Sequence, residues 1–137
     1  MYVAPLRLLL GIGWLAGARL AGASPASALL AFGSGAFFFV FLAYNDPRSR
    51  FLPRTADPKP MPEGATVATP VRQALASLLP STAGLSILAA IAVVPRPVLA
   101  ALLGGITAGL GAAGLLRAYF VDPALFFDRK TGAVYRR

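Results

Sequence analysis

Few residues of this chain have side chains suited to chemistry. With no His and no Cys, the sequence cannot build common zinc sites, iron–sulfur clusters or thiol nucleophiles. It also contains no phosphate loop, dinucleotide fingerprint or nucleophile elbow. The five acidic residues stand beside prolines or in polar connections, where they stop helices or are solvated, so they do not form an acid–base pair. These residues are Asp46, Asp57, Glu63, Asp122 and Asp128.

We therefore expect no enzymatic activity, no metal and no resident cofactor. A remaining alternative is an enzyme that acts on lipid headgroups through Asp46, Asp122 or the arginines near the membrane surface.

The composition predicts an integral membrane protein. Of 137 residues, 57% are hydrophobic and only 13% are charged, whereas a soluble domain carries about 25% charged residues. The net charge of +8 arises from Lys and Arg that flank apolar stretches, so we assign it to topology and anionic lipid. We expect no nucleic-acid partner.

Four apolar stretches reach the ~17–25 residues that a spanning helix needs. The sequence thus predicts an all-α fold of four transmembrane helices in two hairpins, residues 1–44 and 70–120. Prolines at both tight joints suit the first turn of the following helix. A cleaved signal peptide is the alternative for the first span, but the next span follows at once. The predicted spans are 6–23, 25–44, 71–94 and 97–120.

The remaining segments are a Pro-rich loop over residues 45–69, which we expect to be extended, and a basic, aromatic tail over residues 121–137. Eleven of the 13 Lys and Arg residues flank one side, leaving Arg19 and Arg96 on the other. The positive-inside rule then places both termini and the loop in the cytoplasm. Abundant Ala, Gly and Arg suggest a bacterial inner membrane. The eleven are Arg7, Arg48, Arg50, Arg54, Lys59, Arg72, Arg117, Arg129, Lys130, Arg136 and Arg137.

Small residues spaced by four form ladders that permit close helix approach. Their partner is either another helix of this chain or another subunit. The candidate packing residues are Gly13, Gly17, Gly104, Gly105, Gly109 and Ala113.

Phenylalanines form a second set, whose partner is lipid, another protein, or a flat apolar cofactor such as a quinone or carotenoid. They are Phe37, Phe38, Phe41, Phe126 and Phe127. A third set of cations is expected to anchor to lipid headgroups. It comprises Arg19, Arg48, Arg50, Arg117, Arg129 and Lys130.

Pro80, with Ser81 and Thr82 beside it, predicts a kink in the third span and leaves open a hinge or a substrate groove. The two hairpins also share their boundary residues, which indicates either a parallel duplication or common helix-end punctuation. The run Leu6-Arg7-Leu8-Leu9-Leu10-Gly11 resembles the first helix of DoxX-type four-span proteins. The exit Asp46-Pro47-Arg48 resembles small inner-membrane subunits of type IV secretion machines. Both resemblances are short, and we assign no family.

These observations favour a non-catalytic membrane subunit that stabilises or positions larger proteins in a multi-subunit complex. The alternative is a small oligomeric transporter for a neutral or apolar solute, because the spans contain no Asp, Glu, Lys or His for coupling. The expected partners are membrane lipids and larger integral membrane proteins, and a homo-oligomer stays open.

Overall fold

The computed structural model describes residues 3–45, 59–64, 70–120, 125–127 and 134–136. Three helices within these residues are long and apolar enough to cross a membrane, in agreement with three of the four predicted spans. The helices in chain order are α1 (Val3–Leu20), α2 (Pro25–Asn45), α3 (Pro70–Ser77), α4 (Ala83–Ala92) and α5 (Pro97–Phe120).

A Schellman motif ends α1. The backbone N–H of Ala23 donates to the carbonyl of Ala18 at 3.0 Å, and the N–H of Gly22 donates to the carbonyl of Arg19 at 3.2 Å. Gly22 has φ = 106°, a left-handed conformation that glycine adopts without steric cost. Local sequence therefore closes α1 at this point.

The next helix begins with a serine cap. Ser24 Oγ accepts a hydrogen bond from the N–H of Ser27 at 3.2 Å, and Pro25 occupies the first helical position, where its missing N–H is not needed. α5 also begins on a proline, Pro97.

α5 is the centre of the bundle and packs along both α1 and α2, which make few contacts with each other. Gly104 of α5 lies against Gly11 of α1, and Gly111 lies against Ala4, so these two helices are antiparallel. The two predicted hairpins are thus not separate packing units, because the last helix inserts between the first two.

Small residues fill the interior of the bundle, and large apolar residues cover its outer surface. The buried hydrophobic residues that the structure describes are all alanines, and the largest fully buried side chain among the described residues is Thr107. Large apolar side chains lie instead on the outer surface, as at Leu20 and Leu30, which are 90% and 71% exposed. A cluster of alanines joins the helices at the end where both tight turns lie: Ala18, Ala23, Ala28, Ala92, Ala100 and Ala101.

The predicted third span over 71–94 is interrupted at the position where the sequence predicts a kink. A wide turn, Leu78–Thr82, separates α3 from α4, and Leu79 within it has φ = −93° and ψ = 132°. The physical reason is local, because the ring of Pro80 clashes with a helical conformation of the preceding residue. The ten residues of α4 extend only ~15 Å, about half of a bilayer core.

Outside the helices, the chain forms a small sheet that the all-α prediction lacked. Strands β1 (Lys59–Pro60), β2 (Leu125–Phe127) and β3 (Val134–Arg136) lie in the order β1-β3-β2. β3 pairs parallel with β1 and antiparallel with β2. The middle loop and the tail can meet because α2 and α5 run parallel and end on the same side of the bundle. Strands of two or three residues leave no readable alternation in the sequence.

Candidate functional site

Two ladders of small residues on α5 serve two different helices. The first ladder faces α1, where a Cβ at Gly104 would lie 2.8 Å from the carbonyl oxygen of Gly11. The second faces α2, where a Cβ at Gly105 would collide with the backbone of Phe32. Successive residues point about 100° apart on a helix, so adjacent glycines allow α5 to approach two neighbours at once.

The other closely packed glycines of α5 also face either α1 or α2, and we call all four of them, Gly104, Gly105, Gly109 and Gly111, the glycine seam. A Cβ at Gly109 would lie 2.7 Å from the carbonyl oxygen of Ala36 on α2, and one at Gly111 would lie 2.6 Å from that of Ala4 on α1. Gly105 and Gly109 are therefore buried inside the chain, out of reach of a second subunit. Ala113 is half-buried.

The two predicted packing residues of α1 lie in different surroundings. Gly17 is half-buried, and a Cβ there would be in ordinary contact with Val93, 3.7 Å from its Cγ2. Gly13 is exposed, and a Cβ there would meet no described atom within 4 Å. Gly13 thus makes no close helix contact within the described part of the chain.

An exposed aromatic face occupies the second half of α2. Phe37, Phe38 and Phe41 are 71%, 55% and 53% exposed. The rings of Phe37 and Phe41 stack with their centroids 6.1 Å apart, and Phe38 meets Phe39 edge to face at 5.6 Å. This aromatic face, Phe37, Phe38 and Phe41, offers a rigid apolar surface to lipid or to a partner.

The other predicted contact residues, apart from Arg19, are described by their backbone alone or lie outside the described residues. Phe126 and Phe127 belong to β2, and Arg117 belongs to α5, but only the backbone of these three residues is described. Four of the predicted headgroup anchors lie outside the described residues: Arg48, Arg50, Arg129 and Lys130.

Arg19 is exposed near the end of α1, and its guanidinium donates a hydrogen bond to the carbonyl oxygen of Ala23. The side chain therefore closes the turn between α1 and α2.

A polar contact that the sequence analysis did not foresee links α1 to the broken third segment. The Nε–H of Arg7 donates to Oγ1 of Thr82 at 2.8 Å, and Thr82 is only 2% exposed. One turn further along α4, the Oγ of Ser86 is buried without a hydrogen-bond partner among the described residues. The only available signal was that an arginine inside an apolar span needs a polar partner.

The described residues contain no group of three or more His, Cys, Asp or Glu side chains that could hold a metal ion. Of the five acids, only Glu63 is described, and it is exposed. What the described arrangement provides is close packing, an exposed aromatic face and a polar contact between the half-buried Arg7 and the buried Thr82.

No family model, no curated protein and no solved structure matches this chain.

Proposed function

We propose that this chain is a non-catalytic integral membrane subunit that packs against larger proteins of a multi-subunit complex and stabilises or positions them. One observation carries the proposal: alanine and glycine fill the described interior, while leucine, isoleucine and phenylalanine cover the outside. Soluble proteins show the opposite distribution.

A lipid environment explains this distribution physically. Lipid chains are as apolar as leucine, so membrane helices gain little from burying large apolar side chains and associate through close backbone contact instead. An exposed apolar surface over several helices would cause a soluble monomer to aggregate. The proposal places α1, α2 and α5 across the bilayer.

The orientation proposed from the sequence is cytoplasmic for both termini, in a bacterial inner membrane. Its support is that the ends of α2 and α5 lie on the side of the bundle that carries Arg7, whereas Arg19 and Arg96 lie by the tight turns at the other side. Short cytoplasmic flanks carry the excess of Lys and Arg in membrane proteins.

The role as a subunit follows from what the bundle presents outward. The three long helices contain no Asp, Glu or Lys, and the seam glycines hold them too closely for a water-filled path between α5 and its two neighbours. The aromatic face of α2 is then the best candidate for contact with a larger membrane protein, because aromatic residues are enriched at the centre of interfaces.

To test the proposal, native membranes are solubilised in mild detergent and the chain is purified by a C-terminal tag. The proteins that co-purify are then identified. We expect a stoichiometric assembly with different, larger membrane proteins. The double variant Phe37→Ala/Phe41→Ala should release them. The matched control is Leu29→Ala/Leu30→Ala, because these residues of the same helix are 58% and 71% exposed. A monomer or homo-oligomer with nothing bound would contradict the proposal.

One observation favours the alternative, a small oligomeric transporter. Interrupted helices build substrate sites in many transporters, and here the break at Pro80 is followed, one turn into α4, by the buried hydroxyl of Ser86, which has no partner among the described residues. This alternative requires flux of a neutral solute into vesicles that contain only this chain. Flux that is the same in empty vesicles would dispose of it.

A further inference from the structure

α3 is the most amphipathic of the described helices. It separates apolar from polar positions more strongly than the others, and it packs mainly against the turn that follows it. At 100° per residue, Val71 and Leu75 lie within about 40° of each other on one face of α3, and Arg72 lies at the edge of that face, about 80° from its centre. Val71 and Leu75 are 69% and 53% exposed, so the apolar side is uncovered.

The depth of α3 follows from two contacts with α1 that lie just before and just after α4. Thr82 accepts the hydrogen bond of Arg7, and Val93 lies beside Gly17, so α4 extends from the level of Arg7 to the level of Gly17. Thr82 is thus near the level of Arg7, about one turn from the described start of α1. The segment N-terminal to Thr82 therefore lies at the end of the bundle, not across its middle.

We infer that α3 is an interfacial amphipathic helix, which lies along the anionic lipid surface at the basic end of the bundle instead of forming the first half of a spanning helix. Val71 and Leu75 insert among the acyl chains, and Arg72 faces the phosphate groups. This inference rests on the membrane insertion that the proposed function assumes.

Three features select lipid as the occupant of this face. A surface-lying helix combines a strong division of its faces with low overall hydrophobicity, as α3 does and the spanning helices do not. The extended conformation of Leu79 interrupts the helix where a change of direction is needed. The cations of the flanks, Arg72 among them, complement the negative cytoplasmic leaflet.

The test uses the full chain, which has no Cys and therefore accepts single-cysteine nitroxide labels without background. Each residue from 71 to 78 is labelled in turn, and the chain is reconstituted in vesicles of phosphatidylcholine with a minority of phosphatidylglycerol. Accessibility to oxygen and to a water-soluble nickel chelate then reports the depth of each label. A label at Leu30→Cys on α2 serves as the reference for insertion.

The expected result is an accessibility that oscillates every ~3.6 residues about a constant depth, with 71 and 75 in the acyl region, 72 at the level of the headgroups and 76 in water. Vesicles of phosphatidylcholine alone should weaken the oscillation. A steady change of ~1.5 Å per residue would overturn the inference in favour of a spanning helix. Water exposure at every position would overturn it as well, and would point to a protein partner for this face.

The reference label at position 30 distinguishes failure of the inference about α3 from failure of the proposed membrane function. If the label at position 30 lies deep in the bilayer while the scan of α3 shows no oscillation, only the inference about α3 fails. If the label at position 30 is itself in water, the proposed membrane function fails.

Discussion

Arg7 and Thr82, 75 positions apart in the sequence, are joined by a hydrogen bond of 2.8 Å between Nε and Oγ1. The bond attaches the first turns of α1 to the break in the third segment. Thr82 is buried, so a hydroxyl left without this bond would lose a partner where water has little access.

We expect Thr82→Val to lower the free energy of unfolding by about 1–3 kcal/mol, because it removes the hydrogen bond that the charged Arg7 side chain donates through Nε. Denaturation in mixed micelles of mild detergent and SDS measures the change. Thr107→Val is the matched control, since the buried Thr107 hydroxyl donates to the carbonyl of Leu103 in its own helix, at 2.9 Å, and so joins no second helix through this bond. Equal losses in both variants would contradict a special role for the contact between α1 and Thr82.

The same glycine-to-alanine substitution should have opposite effects at a seam glycine and at an exposed glycine. Gly105→Ala should lower the free energy of unfolding by about 1–3 kcal/mol, because the new Cβ collides with the backbone of Phe32. Gly13→Ala should leave it unchanged or raise it by up to ~1 kcal/mol, because the site is open and alanine is the better helix former. The same micelle titration measures both. A destabilising Gly13→Ala would indicate a close neighbour at that site.

Removing the proline should restore the helix at the break. In Pro80→Ala, we expect Leu79 to become helical, because the clash with the proline ring is gone and a backbone N–H is regained. The 13C chemical shifts of Leu79 in detergent micelles report this change. Pro25→Ala at the start of α2 is the control and should leave its neighbours unchanged, because proline fits the first helical turn. Extended shifts that persist at Leu79 would show that tertiary contacts, not the proline, hold the break.

The stability of a Ser86→Ala variant tests whether the break in the third segment is purely structural or part of a ligand site. Its buried hydroxyl has no partner among the described residues, so Ser86→Ala should raise the free energy of unfolding by about 1 kcal/mol. Ser34→Ala, at an exposed position of α2, is the control and should have little effect. A loss of stability in Ser86→Ala would mean that the hydroxyl binds something, as the transporter alternative requires.

The helix ends around the first tight turn can be predicted from the sequence because the interactions that fix them are local. Gly22 and the Ser24-Pro25 pair end one helix and start the next through bonds that span five residues or fewer. The break at Pro80 has an equally local cause, and the sequence predicts it as a kink in the third span. Composition was sufficient to predict the three long apolar helices.

Only the tertiary structure decided which surfaces meet. Gly13 and Gly105 look alike in sequence, since each belongs to a ladder with a period of four, yet one is open and the other touches α2. The small residues of α5 indicated close packing but not its partners, and the bond from Arg7 to Thr82 has no sequence signature. The physical reason is that a helix forms from interactions between near neighbours in the chain, whereas its packing partner is selected by the fit of whole faces from distant segments.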